Sequence, residues 1–134
     1  MVRLIPPPQL KRSEPNDETA VHLQRAYDYL EDNDFTNAFV ESSEALKADP
    51  QNPLAHYMQG AALMALRDYT AAAAEFVEAI KLDPSLADAH FMLGQSCRLR
   101  GLYDEAVAEY GVAINHKPNF AIAQALIGEC YRMQ

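Results

Sequence analysis

The chain contains no tryptophan, only two cysteines among its 134 residues, and fewer basic than acidic side chains. The two cysteines, Cys97 and Cys130, are widely separated in the sequence. That separation provides neither a disulfide framework nor the close spacing of a metal-binding motif. A disulfide-stapled secreted domain is therefore excluded, and a reducing, cytoplasmic setting is expected.

Basic residues are scarce as well, since 11 lysines and arginines stand against 19 aspartates and glutamates, for a net charge of −8. Phosphate backbones and anionic membrane surfaces are bound by clustered lysine and arginine. No basic stripe runs through this sequence. Nucleic acids and membrane surfaces are therefore excluded as partners.

Long apolar runs are also missing, so neither a membrane-spanning segment nor membrane insertion is expected. Near the N-terminus, only Leu4 and Ile5 stand together before the prolines Pro6, Pro7 and Pro8. This apolar core is too short for a secretory signal. Because a proline run favours extended backbone, we interpret residues 1–18 as a flexible, proline-containing tail.

The sequence does contain a strict internal period. Residues of one type recur at steps of 34, namely Pro50, Pro84 and Pro118; Ala45, Ala79 and Ala113; Phe35, Tyr69 and Tyr103; and Gly60, Gly94 and Gly128. Repetition with a period of about 20–50 residues is typical of solenoids and other repeat arrays. The chain is therefore predicted to be a tandem array.

The residues in phase also carry a family resemblance. The repeated unit resembles a tetratricopeptide repeat, a helix–turn–helix unit, through Gly60, Leu63, Tyr69, Ala72, Phe76, Ala79 and Pro84. The resemblance covers Thr19 to Gln134 and implies an all-α, right-handed superhelix, a solenoid of about three and a half repeats and seven helices. The expected repeats are 19–52, 53–86 and 87–120, with a partial repeat at 121–134.

Local signals place several helix ends. Asp34 and Asn52 are predicted N-caps, and Pro53 suits the first helical position. The segment from Ser85 to Asp88 resembles a capping box that would open the third repeat. A glycine inside a helix costs about 1 kcal/mol relative to alanine, so the recurring glycine at Gly60 predicts a facing helix that needs the missing side chain.

No active site is expected. The recurring histidines His22, His56 and His90 stand where the family often has tryptophan. They cannot share a metal ion, because neighbouring helices lie ~10 Å apart whereas zinc–nitrogen bonds are about 2.0–2.1 Å. We expect each imidazole to pack between helices. The glutamates in phase, Glu41, Glu75 and Glu109, are interpreted as a solvated face, and Cys97 and Cys130 as small apolar side chains. The chain is predicted to be no enzyme and to hold no metal or other cofactor.

The resemblance implies that the first helix of each repeat lines a concave groove. The candidate groove residues are Leu23, Tyr27, Leu30, Leu54, Tyr57, Ala61, Met64, Phe91, Gln95, Arg98 and Arg132. Leu23 and Leu30 fit a buried core position equally well. Family members that grip a C-terminal carboxylate use Lys, Arg and Asn here, but Leu23 and Tyr27 occupy two of those slots, so this recognition mode is not expected.

The function expected from this groove is protein–protein interaction: a scaffold, adaptor or co-chaperone-like module that binds a peptide or helix. One alternative is a substrate-presenting part of a larger enzyme such as a transferase. Another is a self-assembling scaffold, a homo-oligomer formed through the tail or the apolar last helix. That helix, with Ile122, Leu126, Ile127 and Met133, predicts either further chain or docking on another copy.

Overall fold

The structure, a computed structural model, describes residues 18–134. This range contains seven α-helices and no strand: α1 (Glu18–Glu31), α2 (Phe35–Ala48), α3 (Pro53–Ala65), α4 (Tyr69–Leu82), α5 (Ala87–Leu99), α6 (Tyr103–His116) and α7 (Ala121–Met133). The predicted all-α repeat solenoid of seven helices is confirmed. Apart from Glu18, which opens α1, the predicted tail lies outside the described residues.

Two of the predicted N-caps have the expected geometry. The side chain of Asn52 accepts hydrogen bonds from the backbone amides of Leu54 at 2.9 Å and Ala55 at 3.2 Å, and Pro53 occupies the first helical position. Asp34 accepts from the amide of Asn37 at 3.3 Å. Because these side chains satisfy amides that have no partner inside the helix, they fix where α2 and α3 begin.

The predicted capping box at the start of the third repeat is wrong. Helix α5 begins at Ala87, and its N-cap, Leu86, makes no side-chain capping bond. The Ser85 hydroxyl instead donates to Asp83 Oδ1 at 2.6 Å. The Ser85 hydroxyl, which the sequence pattern predicted to cap α5, is therefore hydrogen-bonded to the preceding Asp83.

The turn inside each helix pair has the same backbone geometry. Asn33, Arg67 and Gly101 have φ values of 61°, 67° and 79°, in the left-handed region. They recur with the same period as the prolines and alanines of the repeat. The turns that join α1 to α2, α3 to α4 and α5 to α6 are therefore equivalent.

Close packing within a pair depends on glycine. A Cβ added to Gly60 would lie 2.7 Å from Cε1 of Phe76, and one added to Gly94 would lie 2.8 Å from Cδ1 of Tyr110. Both rings are fully buried. The expectation that a facing helix needs the missing side chain is confirmed in α3 and α5. At Gly128 of α7, an added Cβ would meet nothing within 4 Å.

Candidate functional site

The first helices of the pairs form the inner side of the array. Helix α1 contacts α3, and α3 contacts α5. Within residues 18–134, the second helices α2, α4 and α6 make no contact of that extent with one another. In a curved stack the elements on the inside of the curve come closer together, so α1, α3 and α5 line the concave surface, which we call the inner face.

Five of the predicted groove residues are buried in the core. They are Leu23, Leu30, Tyr57, Ala61 and Phe91. The Tyr57 ring centroid lies 5.9 Å from that of Phe76, and the Phe91 ring stacks on Phe120 at 4.7 Å. These side chains are therefore part of the core beneath the inner face, and in this conformation they are not exposed to a ligand.

The other predicted residues reach the surface. Tyr27, Leu54, Met64, Gln95 and Arg98 are half-buried, as expected of side chains that stand on packed helices and also face solvent. Met64 and Arg98 occupy equivalent positions in successive repeats, on the contacting helices α3 and α5. The predicted apolar residues therefore stand on the contacting helices α1 and α3, and the predicted polar ones on α5, which contacts α3.

The last predicted residue, Arg132, stands apart in its contacts. It is exposed on α7, and its guanidinium lies 3.9 Å from the carboxylate of Glu129, one turn away on the same helix. An exposed pair of this kind contributes little to stability.

Gln95 and Arg98 are joined by a third residue, Tyr110, which is not among the predicted groove residues. Gln95 Oε1 accepts hydrogen bonds from Arg98 Nε at 3.1 Å and from the Tyr110 hydroxyl. Burial raises the pKa of Tyr110 to about 12, although the neighbouring Arg98 acts in the opposite direction. The hydroxyl therefore keeps its proton and donates at neutral pH. The signal was present in the sequence as Tyr110 at the position where the preceding repeat has Phe76.

The interpretation of the recurring glutamates as a solvated face is wrong. Each glutamate is partly buried against the histidine of its own helix pair. The distances from Nδ1 to the carboxylate are 2.6 Å for His22 and Glu41, 2.8 Å for His56 and Glu75, and 2.9 Å for His90 and Glu109. Each pair is separated by 19 residues, a constant spacing that could have revealed it.

The second ring nitrogen of two of these histidines is also bonded. Nε2 of His56 lies 3.0 Å from the carbonyl oxygen of Pro50, and Nε2 of His90 lies 3.0 Å from that of Pro84. Each of these two rings therefore has an oxygen atom of a carboxylate on one side and of a backbone carbonyl on the other. The histidines thus tie a first helix to its second helix and to the preceding loop, which explains their position between helices.

The described residues show no catalytic constellation. Cys97 and Cys130 are buried free thiols, and burial raises the pKa of each, which disfavours the reactive thiolate. Within residues 18–134, no three or more histidine, cysteine, aspartate or glutamate side chains are grouped so that they could hold a metal ion. In the same range, no helix has the length and apolar character needed to cross a bilayer.

The fold and the inner face define a helical repeat protein of the interaction type, and comparison with known families identifies which one. The family model for the tetratricopeptide repeat matches residues 23–86 and 57–118. The chain therefore belongs to the tetratricopeptide repeat family and is a protein-interaction module. No match was found among curated protein sequences.

Solved structures share the fold. The first tetratricopeptide domain of Spaghetti (RPAP3), bound to the HSP90 peptide SRMEEVD, is similar with a TM-score of 0.83 at 19% identity, covering 86% of this chain and 91% of that one. MamA is similar with a TM-score of 0.81 at 26% identity, covering 90% and 70%. An O-GlcNAc transferase mutant from Thermobaculum terrenum is similar with a TM-score of 0.81 at 20% identity, covering 91% of this chain but 23% of the transferase.

Proposed function

We propose that the inner face binds an extended peptide segment or a helix of a partner protein, and that the chain acts as an adaptor or co-chaperone-like scaffold in the cytoplasm. The observation that carries this proposal is that Tyr27, Leu54 and Met64 are apolar and half-buried on the contacting helices α1 and α3. Aromatic and methionine side chains that remain partly exposed are adaptable anchors for apolar side chains of a ligand.

A peptide ligand is supported by the similar domain of Spaghetti, whose structure holds an HSP90 peptide. The mode of recognition differs in this proposal. Leu23 and Tyr27 occupy two positions at which, according to the family resemblance, other members bind a terminal carboxylate. Leu23 is also buried. We therefore propose recognition by apolar contacts on α1 and α3, and not by a basic clamp around a C-terminus.

The test is a selection from random dodecapeptides displayed on phage, each fused at its C-terminus to the coat protein so that no free terminal carboxylate is present. The full chain is the target. We expect binders whose affinity falls at least about tenfold, or about 1.4 kcal/mol, in the variant Met64→Glu. The matched control is Val77→Glu, which places the same charge on the second helix α4 at an already exposed position.

Two outcomes contradict the proposal. One is the absence of any binder to the full chain. The other is a set of binders that tolerate Met64→Glu as well as they tolerate Val77→Glu, since such binders would lie elsewhere on the protein.

A second candidate function is substrate presentation in a larger enzyme. The similarity to an O-GlcNAc transferase, of which the matched part is 23%, favours it over other enzyme classes. In that arrangement the catalytic domain would lie outside residues 1–134. Sequencing the transcript through the codon for Gln134 decides the point, because a stop codon there leaves no room for a downstream catalytic domain.

A third candidate is self-assembly, through the tail or through α7. Helix α7 exposes Ile122, Tyr131 and Met133, while the tail carries Leu4 and Ile5 outside the described residues. Light scattering over a concentration series would show the mass of the full chain, of Ile5→Asp and of Ile122→Asp. A monomer at all concentrations would rule this candidate out, and a larger species lost in only one variant would identify the contact.

A further inference from the structure

Three equivalent positions on and beneath the inner face change character between the second and third helix pairs. Ala61, Met64 and Phe76 of the second pair correspond to Gln95, Arg98 and Tyr110 of the third, one repeat further along the chain. All three residues of the second pair are apolar, and all three of the third can donate a hydrogen bond. In the third pair they are joined in one hydrogen-bonded cluster.

The hydrogen bonds fix which groups of this cluster face a ligand. Gln95 Oε1 already accepts from Arg98 Nε at 3.1 Å and from the Tyr110 hydroxyl. With the oxygen so occupied, the amide nitrogen of Gln95 makes no side-chain hydrogen bond within residues 18–134. The groups that remain for a ligand are the NH₂ of Gln95 and the terminal N–H groups of Arg98 that are not directed at Tyr110, and all of them are donors.

The arginine of this cluster also makes no ion pair. Within residues 18–134, the ion pairs of the protein join other residues, and no carboxylate lies within 4 Å of the Arg98 guanidinium. Arg98 is half-buried, so its charge is less screened than that of an arginine at the surface. The chain as a whole carries a net charge of −8, which makes a partly buried arginine without an acidic partner on the inner face a distinctive local feature.

We propose that Gln95 and Arg98 form a binding subsite for an acidic side chain, aspartate or glutamate, of the segment that occupies the inner face. This inference rests on the proposed function and adds the class of ligand. A carboxylate supplies acceptors only, and it pairs with a guanidinium through strong charge-assisted hydrogen bonds. Because Met64 occupies the equivalent position on the neighbouring helix α3, the segment should carry an apolar residue close to the acidic one.

The location of the subsite favours a side chain over a terminal carboxylate. Helix α5 contacts α6, which in turn contacts α7. On the inner face, α5 also contacts the preceding helix α3. Arg98 therefore lies within the length of the array and not at its end. A segment that runs along the inner face from α1 to α5 can present an internal carboxylate to the subsite.

Tyr110 acts here as a positioning residue. Its ring is fully buried and in contact with Phe91, with centroids 5.5 Å apart. The rigid ring holds the hydroxyl against Gln95 Oε1 and so leaves the amide nitrogen as the group of Gln95 that can donate to a ligand. Removing the hydroxyl should weaken the preference for acidic ligands without weakening apolar contacts.

The experiment uses the phage selection described above on the full chain and on three variants. Gln95→Glu keeps the acceptor for Arg98 and Tyr110 but replaces the NH₂ group by a carboxylate oxygen. Arg98→Ala removes the positive charge of the subsite. The control, Arg100→Ala, removes an exposed arginine nearby in the sequence. We expect aspartate and glutamate to be enriched next to an apolar residue in binders of the full chain and of Arg100→Ala. We expect the enrichment to be lost with Gln95→Glu and Arg98→Ala.

One selected peptide then provides the quantitative test. It is synthesised with an amidated C-terminus, both as selected and with its acidic residue changed to the matching amide. Fluorescence anisotropy should show at least tenfold weaker binding of the neutral peptide to the full chain, and equal binding of both peptides to Arg98→Ala. With Tyr110→Phe, the ratio of the affinity for the acidic peptide to that for the neutral peptide should fall, while the affinity for the neutral peptide stays unchanged. Circular dichroism melts verify that each variant is folded.

The outcomes separate this inference from the proposal beneath it. Binders that depend on Met64 but show no preference for acidic residues would overturn the subsite and leave the groove proposal standing. Equal binding of the acidic and the neutral peptide to the full chain would also overturn it. If no binder depends on Met64, the proposed function itself fails, and the subsite fails with it.

Discussion

The interior pairs and the final helix of this array carry the same glycine in different surroundings. In α3 and α5, Gly60 and Gly94 lie under the fully buried rings of Phe76 and Tyr110, with no room for a methyl group. In α7, the space next to Gly128 is open. A residue that repeats with the period of the array is therefore structurally required only where the next helix supplies an aromatic ring.

The first pair adds a third version of the same contact. Its position for the aromatic ring is held by Ser42, which is fully buried and donates to the Phe39 carbonyl at 2.9 Å. The small residue opposite is Ala26 and not glycine. The side chains on the two sides of the contact thus vary together: a glycine faces a ring, and an alanine faces a serine.

The largest effect should come from removing an interior ring. Phe76→Ala deletes a fully buried side chain and leaves a cavity over Gly60, so we expect the free energy of unfolding to fall by about 3–5 kcal/mol. Urea denaturation followed by circular dichroism measures it. Ser42→Ala, at the equivalent position of the first pair, should cost about 1 kcal/mol, the value of one hydrogen bond; equal losses in the two variants would contradict the contrast between the pairs.

The two interior rings differ by one hydroxyl, which alkaline titration should reveal. The pKa of Tyr110 is raised by burial from 10.0 to about 12, so between these values the folded chain holds a proton that the unfolded chain has lost. Stability from this group is present below pH 10 and is lost as the pH rises toward 12, by on the order of 2 kcal/mol. Urea denaturation at several pH values should show a shallower decline for Tyr110→Phe than for the parent. Tyr131→Phe, at a ring that is 60% exposed, should keep the parental slope.

Glycine replacement should change sign between the interior and the end. In Gly60→Ala, the overlap with Phe76 costs about 1–3 kcal/mol, which exceeds the gain of about 1 kcal/mol in helix propensity. In Gly128→Ala only the gain remains, because an added Cβ meets nothing within 4 Å. Thermal melts should therefore show a lower midpoint for the first variant and a higher one for the second. A higher midpoint for both would mean that Phe76 can move aside.

The smallest effect should come from the histidine–glutamate contacts. Glu75→Gln removes the charge that faces His56 Nδ1 at 2.8 Å, and because an amide oxygen can still accept the bond, we expect a loss of about 1 kcal/mol. The control Glu78→Gln alters an exposed pair with Lys81, for which the change should stay within about 0.5 kcal/mol. Urea denaturation distinguishes the two, and equal effects would mean that the partly buried contact adds nothing.

Much of the fold could be predicted from the sequence because the repeat period sets helix number, helix length and family together. Asn52 caps α3 as expected, and Pro53 occupies its first helical position. The prediction failed at Ser85, whose side chain could either cap α5 or bond to the neighbouring Asp83. The structure has the bond to Asp83. Single hydrogen bonds of that kind are not encoded in the period.

The candidate site was harder to predict because the period fixes the direction of a side chain around its helix but not its depth. Tyr57 and Met64 both occupy predicted inner positions, yet Tyr57 is fully buried next to Phe76 whereas Met64 is half-buried. That difference depends on the ring supplied by the following helix. The histidine–glutamate contacts were readable in principle, since two series with the same period and a fixed offset, such as His56 and Glu75, must meet in the same way in every repeat.

The equivalent turns at Asn33, Arg67 and Gly101 make the angle between the helices of a pair a property of the backbone. The shape of each pair is then independent of the side chains on its inner face. Residues 53–86 and 87–120 could accordingly be exchanged or duplicated with the curvature of the array retained. If the two proposals above hold, such an exchange would reverse the order of the apolar and the acidic residue that the protein recognises along a bound segment. The order of the repeats would then determine the binding specificity.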